Sequence, residues 1–564
     1  TQTPDALNVY ADDYGAITSR LGYKYLNNSG ITLGGSAATI LDIYNFKRDS
    51  GTDDLIAFAI ATANANTTSF GAFKWNATAA RFSLITDSTN AFQPSNEDTP
   101  RIITAQYQDT MYCTNGYRRY KYSGTFWTQA GASAPSGTVT ATSKDSGLIS
   151  AGSYKYKYTY VNSFGTESNP NSAMTTAFDV AASGVVSLTG LQNPGSGTTL
   201  GINGMRVYRT SINGSTYYLV ASMAPTITFA DNNGNASLTV TIPATNDVPP
   251  SAVVMVNHKD RMFYGYQVGT SDTRNRVYFS QIANPEIVDT TSDFFRFGWD
   301  GEFVNALATN ADQLFIFKNR SAYELHMPDP GNELSWFPRK IPTEFGAEST
   351  PCVVKINNGF IVLSRYGFAY IESVGNIQST IQLASDTFRG VNISDIISDT
   401  LFDPVSGMNP SAMAKASGIN YRNAIWFALP VSNSVPNNTV YYFDYLRAAG
   451  AAGAGAWYKM SGMNFGSFAE YSGNLYASSN QDGYVYQLEV ADQHYDLINS
   501  GACIAASGKT GINAYYVSPA IYGNKSEMHN WKDLRGAIVA MSAMSGQSVI
   551  FSVSEDFTSG VGFS

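Results

Sequence analysis

The chain is 564 residues long, far more than one hydrophobic core requires, so several domains or one large repeat architecture are expected. Tyr (36), Phe (31) and Gly (49) are abundant while charged residues make up 14 %, against a soluble average of about 25 %, which is a strand-and-turn composition. A net charge of −9 argues against a nucleic-acid wrapper, the odd, widely spaced Cys113, Cys352 and Cys503 imply no disulfide framework, and no apolar run reaches the roughly 20 residues of a bilayer span.

In chain order, Thr1 opens the sequence with neither Met nor a signal-like segment, so the first residues are expected to have been removed or left out. Short aromatic strands then come in pairs joined by polar turns. The first two pairs are Asp54–Phe58 with Gly71–Trp75, and Thr110–Cys113 with Tyr117–Tyr122. An interruption follows. Ala134-Pro-Ser-Gly opens it, Tyr154–Tyr160 alternates so that four tyrosines share one strand face, and Asn213-Gly214 marks a hairpin between Met205–Arg209 and Tyr217–Ala221. Asp247-Val-Pro-Pro250 closes it, and residues 134–249 read as an immunoglobulin- or fibronectin-like sandwich, autonomous and projecting from its host.

The pairs then resume: Arg261–Gly265 with Arg276–Ser280, Gln313–Phe317 with Ala322–Leu325, and Gly359–Leu363 with Phe368–Ile371. Ala424–Ala428 with Thr439–Phe443 and Asn474–Ala477 with Gly483–Tyr486 complete the series. Further apolar runs such as Val353–Ile356 and Phe465–Tyr471 precede some of them. Outside the interruption the period is roughly 45–60 residues, in the range of propeller blades. The expected fold is therefore all-β: a propeller of about six to seven blades, with its first blades in 1–133, the sandwich in 134–249 and the remaining blades in 250–564. Asp386 to Thr400 is the best helix candidate. The Ala/Gly tract Ala448–Ala456 has no side chains to pack and reads as a mobile loop.

The chemistry is sparse. Ser507-Gly-Lys-Thr510 ends like a phosphate loop, but Cys503 stands where its first Gly belongs. Gly34-Gly-Ser-Ala-Ala38 misses the nucleophile elbow at its last position. His258, His326, His494 and His529 lack metal-ligand spacing. Asp12-Asp13 and Asp53-Asp54 are adjacent pairs whose side chains diverge on a strand, so turn roles are expected. Asp482-Gly483 resembles the Asp-turn of sialidase-type propellers, yet also makes an ordinary hairpin. Tyr117-Arg-Arg-Tyr-Lys-Tyr122 interleaves bases with aromatics, as a single-strand nucleic-acid groove does; on a strand the charges are expected to face water and the rings to pack inward. No residue is assigned a catalytic, cofactor-binding or metal-binding role, and no cofactor is expected.

Pro4-Asp-Ala-Leu-Asn8-Val, Gly15 and Arg20-Leu-Gly22 resemble the opening of podovirus tail-nozzle proteins, also called tail tubular protein B or tail hub. The likeness continues in Arg261–Tyr266 through Arg276–Ser280 to Asn284-Pro-Glu286, in Phe317–Leu325, in Glu344-Phe-Gly346 to Pro351-Cys-Val, and in Leu363–Phe368. It covers most of the chain outside residues 134–246. It implies a structural protein of the virion tail: a hexameric ring below the portal and adaptor, near the tail fibres, around the channel through which double-stranded DNA leaves without specific binding. Known nozzles often lack an insertion of this kind. The end at Ser564, soon after a strand, hints that the chain continues.

The competing expectation is a carbohydrate-binding or carbohydrate-cleaving propeller for host attachment. It rests on Asp482 and on aromatic side chains including Trp75, Trp127, Trp299, Trp336, Trp426 and Trp457.

Overall fold

The computed structural model describes residues 5–11, 17–49, 51–64, 67–89, 91–92, 101–172, 174, 176–194, 200–267, 273–299, 301–310, 313–356, 359–373, 388–394, 397–445, 455–491, 495–497, 509–517, 552–553 and 561–562. It divides into two compact units, one of Ala6–Tyr516 and one of Thr1–Asp5 with Val517–Ser564. Among the described residues of the smaller unit, Ser552–Val553 pairs antiparallel with Val561–Gly562.

The larger unit contains, among its described residues, seven four-stranded antiparallel sheets. Blade 1 runs Thr39–Phe46, Asp54–Asn64, Thr67–Asn76 and Arg81–Leu84; blade 2 runs Ile103–Tyr107, Thr110–Thr114, Arg119–Tyr122 and Trp127–Gln129. Blade 3 runs Ala252–His258, Arg261–Gln267, Arg276–Phe279 and Phe294–Arg296; blade 4 runs Val304–Asn310, Gln313–Lys318, Ala322–His326 and Phe337–Lys340. Blade 5 is Val353–Ile356, Gly359–Ser364, Gly367–Ser373 and Phe388–Asn392, and blade 6 is Ser417–Tyr421, Ala424–Leu429, Thr439–Asp444 and Ala456–Ser461. Blade 7 takes Phe465–Tyr471, Asn474–Ser479 and Val485–Gln487 from late in the chain, and its outer strand, Lys24–Tyr25, from near the start. The fold is a β-propeller.

The paired aromatic runs of the sequence are the second and third strands of these blades. Second strands are covered on both faces by neighbouring blades. Gly359–Ser364 and Ala424–Leu429 are buried at every position and read as unbroken apolar runs rather than alternating ones. The cores lie between blades: Leu363 and Phe368 of blade 5 pack with Ile425, Phe427 and Tyr441 of blade 6.

Residues 134–249 contain two three-stranded sheets, Thr140–Ile149 with Gly184–Thr189 and Thr228–Asp231, and Tyr156–Asn162 with Ile202–Thr210 and Tyr217–Met223. The chain passes from one sheet to the other and back, as in an immunoglobulin-type sandwich. Tyr154, Tyr156, Tyr158 and Tyr160 are buried in its core beside Val186, Met205 and Val207.

Two expectations change. Asp386 to Thr400 is not one helix: Phe388–Asn392 is the outer strand of blade 5, paired with Ala369–Ser373, and the helix is only Ser398–Leu401. Sheet pairing overrides a weak local preference here. Of the Ala/Gly tract, 448–454 lie outside the described residues, while Ala456 already pairs with Asp444.

Candidate functional site

The residues weighed for chemistry are dispersed. Gly34 and Gly35 form the tip of a hairpin between Thr32–Leu33 and Ser36–Ala37. Lys509 and Thr510 lie on a strand paired with Tyr495–Leu497, and 507–508 fall outside the described residues. His258 is buried at the end of a blade 3 strand, and His326 lies 3.6 Å from the Glu324 carboxylate. His494, His529, Cys503, Asp12 and Asp13 lie outside the described residues. Asp482 accepts from the Tyr484 amide and caps a blade 7 turn. Asp54 is not a simple turn residue: it is buried and ion-paired with Arg48 and, at 2.8 Å, with Lys74. Of the six tryptophans weighed for sugar binding, Trp127, Trp336 and Trp426 are core side chains, and Trp299 alone is largely exposed, at 88 %. Among the described residues, no group of three His, Cys, Asp or Glu side chains could hold a metal, and no helix is long and apolar enough to cross a membrane.

What the fold does assemble is a set of polar joints. The first joint lines the propeller axis where first strands end. The penultimate residues of the seven first strands, Asn45, Gln106, Asn257, Thr309, Lys355, Asn420 and Glu470, are all polar, and each faces an apolar residue on the second strand. Asn45 Nδ2 donates to the Glu470 carbonyl (2.8 Å), Gln106 to Lys47, Asn257 to Gln106 (3.0 Å) and Asn420 to Lys355 (3.2 Å). Each amide reaches back to the preceding blade. An innermost strand has a free edge, and these amides satisfy some of its carbonyls.

Where first strands begin, Arg101 takes over. From the entrance of blade 2 its guanidinium donates to the carbonyls of Ala416 in blade 6 and Gly466 in blade 7, each at 2.6 Å. Asp42 of blade 1 feels its charge; burial raises that carboxyl above the ordinary range while Arg101 pulls the other way.

The third joint holds the sandwich. Glu286, in the loop before the last strand of blade 3, is fully buried and accepts from Lys121 Nζ (2.5 Å), Tyr112 Oη (3.0 Å), the Gly131 amide (2.9 Å) and Asn162 Nδ2. It thus joins blades 2 and 3 to the start of the insertion and to one of its strands. The other end is tied by Asp247, which bridges to Val288 and accepts from Thr290 Oγ1 at 2.5 Å and Asn169 Nδ2 at 2.6 Å. Lys121 therefore does not face water, contrary to the expectation for the Tyr117–Tyr122 run. Desolvation lowers its pKa and Glu286 opposes that shift, while burial and then Glu286 push the Tyr112 hydroxyl well above its usual value. A groove of about 520 Å³ beside this joint is lined by Gln129, Ser136, Tyr160, Gln192 and Ile202 among others.

The sequence pattern already held the axial signal, in the form polar–X–turn–X–apolar. In three blades the two turn residues both take positive φ: Lys259 and Asp260, Arg422 and Asn423, Ser472 and Gly473. That is the type I′ hairpin signature. Glu286 carried no periodic signal of burial and stood out only in the Asn284-Pro-Glu286 likeness.

These features define a seven-bladed propeller with an inserted sandwich. No protein-family model and no curated protein matches the chain. Solved structures similar to it include BamB from Moraxella catarrhalis, at 10 % identity over 71 % of this chain and 96 % of that one, with a TM-score of 0.27. The computationally designed Ika8 protein is 10 % identical over 83 % of this chain and all of that one (100 %), with a TM-score of 0.33. PorZ of Porphyromonas gingivalis is 10 % identical over 90 % of this chain and 67 % of that one, with a TM-score of 0.25. The propeller assignment rests on the sheets of this chain.

Proposed function

We propose that the chain is a non-enzymatic structural subunit of a bacteriophage tail, forming a homohexameric ring around the DNA ejection channel. In this reading it meets the tail adaptor and the tail fibres, and the genome passes without specific binding. The supporting observation is that several of the residues carrying the tail-nozzle resemblance, Asn8, Arg20, Glu286, Lys318 and Gly346, are framework joints. Asn8 and Arg20 are buried together, with Arg20 donating to the Asn8 side chain at 3.1 Å and to both Asp496 oxygens at 2.8 and 2.6 Å. Glu286 docks the insertion. Lys318 is fully buried and donates to the Phe297 and Trp299 carbonyls at 2.7 and 2.8 Å. A Cβ on Gly346 would lie 1.7 Å from the Lys318 carbonyl, so close packing requires glycine there. Charge invested in joints suits a part that must transmit load.

A net charge of −9 per chain becomes roughly −54 in a ring of six, which would keep phosphate sliding within a Debye length of about 8 Å. Native mass measurement on the purified protein tests the reading. A ring of about six is expected; a monomer or trimer, or turnover of host envelope polysaccharide, would overturn it.

A further inference from the structure

Among the described residues at the propeller axis, one contact spans the ring rather than joining neighbours. Arg101 belongs to the entrance of blade 2, yet its two terminal nitrogens end on blades 6 and 7, with blade 1 lying between blades 2 and 7. The acceptors sit where the inner strands of those blades begin. Cys352, immediately before the first strand of blade 5, is wholly buried, and its Sγ lies 3.6 Å from the same Ala416 carbonyl that Arg101 occupies. Burial pushes the Cys352 thiol up to about 11 while the Arg101 charge pulls it down, so the guanidinium is close enough to be felt there. Asp42 is likewise within its field. The start of the axis is therefore surrounded by groups from blades 1, 2, 5, 6 and 7 that converge on one side chain.

We infer that Arg101 is an axial brace: it closes the propeller at the end where first strands begin, locks blade 2 to blades 6 and 7, and covers Cys352. A planar guanidinium suits this task, because its forked donors reach two carbonyls at once and it stays charged when half-buried. The inference stands on this geometry alone and is independent of the tail reading.

The test uses the full chain carrying Cys503→Ser and a small alkylating reagent, with labelling of Cys352 and Cys113 followed by peptide mass spectrometry. Cys113 is buried in the core between blades 1 and 2 and reports general loosening. In the parent both thiols should be protected. In Arg101→Ala and in Arg101→Met, which keeps an unbranched stem, Cys352 should label at least about tenfold faster while Cys113 stays protected. Unchanged Cys352 labelling in both variants, or equal acceleration of both thiols in both, would overturn the brace.

Discussion

Glu286 and Lys121 show how much one buried pair can govern. Removing one partner of such a pair leaves an uncompensated charge, at a cost of about 3–5 kcal/mol, whereas replacing both with neutral groups of similar volume is often close to harmless. Glu286→Ala should therefore lower the denaturant-derived stability by about that amount. Glu286→Gln combined with Lys121→Met should lower it far less, and equal losses would show that the pair is not the source. Lys121 was misread from sequence because local pattern places the charges of a strand in water, and its partner lies 165 positions away. No periodicity points to a contact of that range.

Blade elements were far more legible, for a physical reason. Second and third strands are apolar on both faces because blades stack on either side, and such runs stand out. Outer strands do not: Lys24–Tyr25 is two residues long, and Phe388–Asn392 contains a Gly that weakens any strand signal. The turn from first to second strand carries its own requirement. Asn423 has φ 63°, where a β-branched residue is strained. Asn423→Val should cost about 1–2 kcal/mol, while Asn423→Gly should be nearly neutral, as read by thermal melting. The strand that completes blade 7 is only two residues long and pairs through two residues. Arg20→Met leaves Asp496 buried without its partner, so amide exchange should quicken across Val485–Gln487 and Lys24–Tyr25 but not in blades 3 and 4. Uniform quickening would mean that blade 7 is not an independent weak point.

At the scale of the whole molecule, buried tyrosines dominate the response to base. Burial raises Tyr44, Tyr122 and Tyr441 to about 12, and raises Tyr156, Tyr264 and Tyr486 in the same direction. A tyrosine whose folded pKa exceeds its unfolded one contributes stability that is complete below about pH 10 and lost as pH rises through the folded value. Lys121 and Arg119, whose pKa values burial lowers, have the opposite sign but are two groups against many. Stability should thus fall steadily above about pH 10, with the buried tyrosines adding their share of tyrosinate absorbance only as the protein unfolds. Complete tyrosinate absorbance with the fold intact would contradict this. The closing strand of blade 7 also sets a timetable for synthesis. Val485 donates to the Asn27 side chain across 458 positions of sequence. At about 5–20 residues per second, the early segment must wait roughly 20–90 s on the ribosome before its partner exists. For that interval six blades can stack but the circle stays open, with the strand Lys24–Tyr25 unpaired and the apolar face of blade 1 that meets blade 7 uncovered.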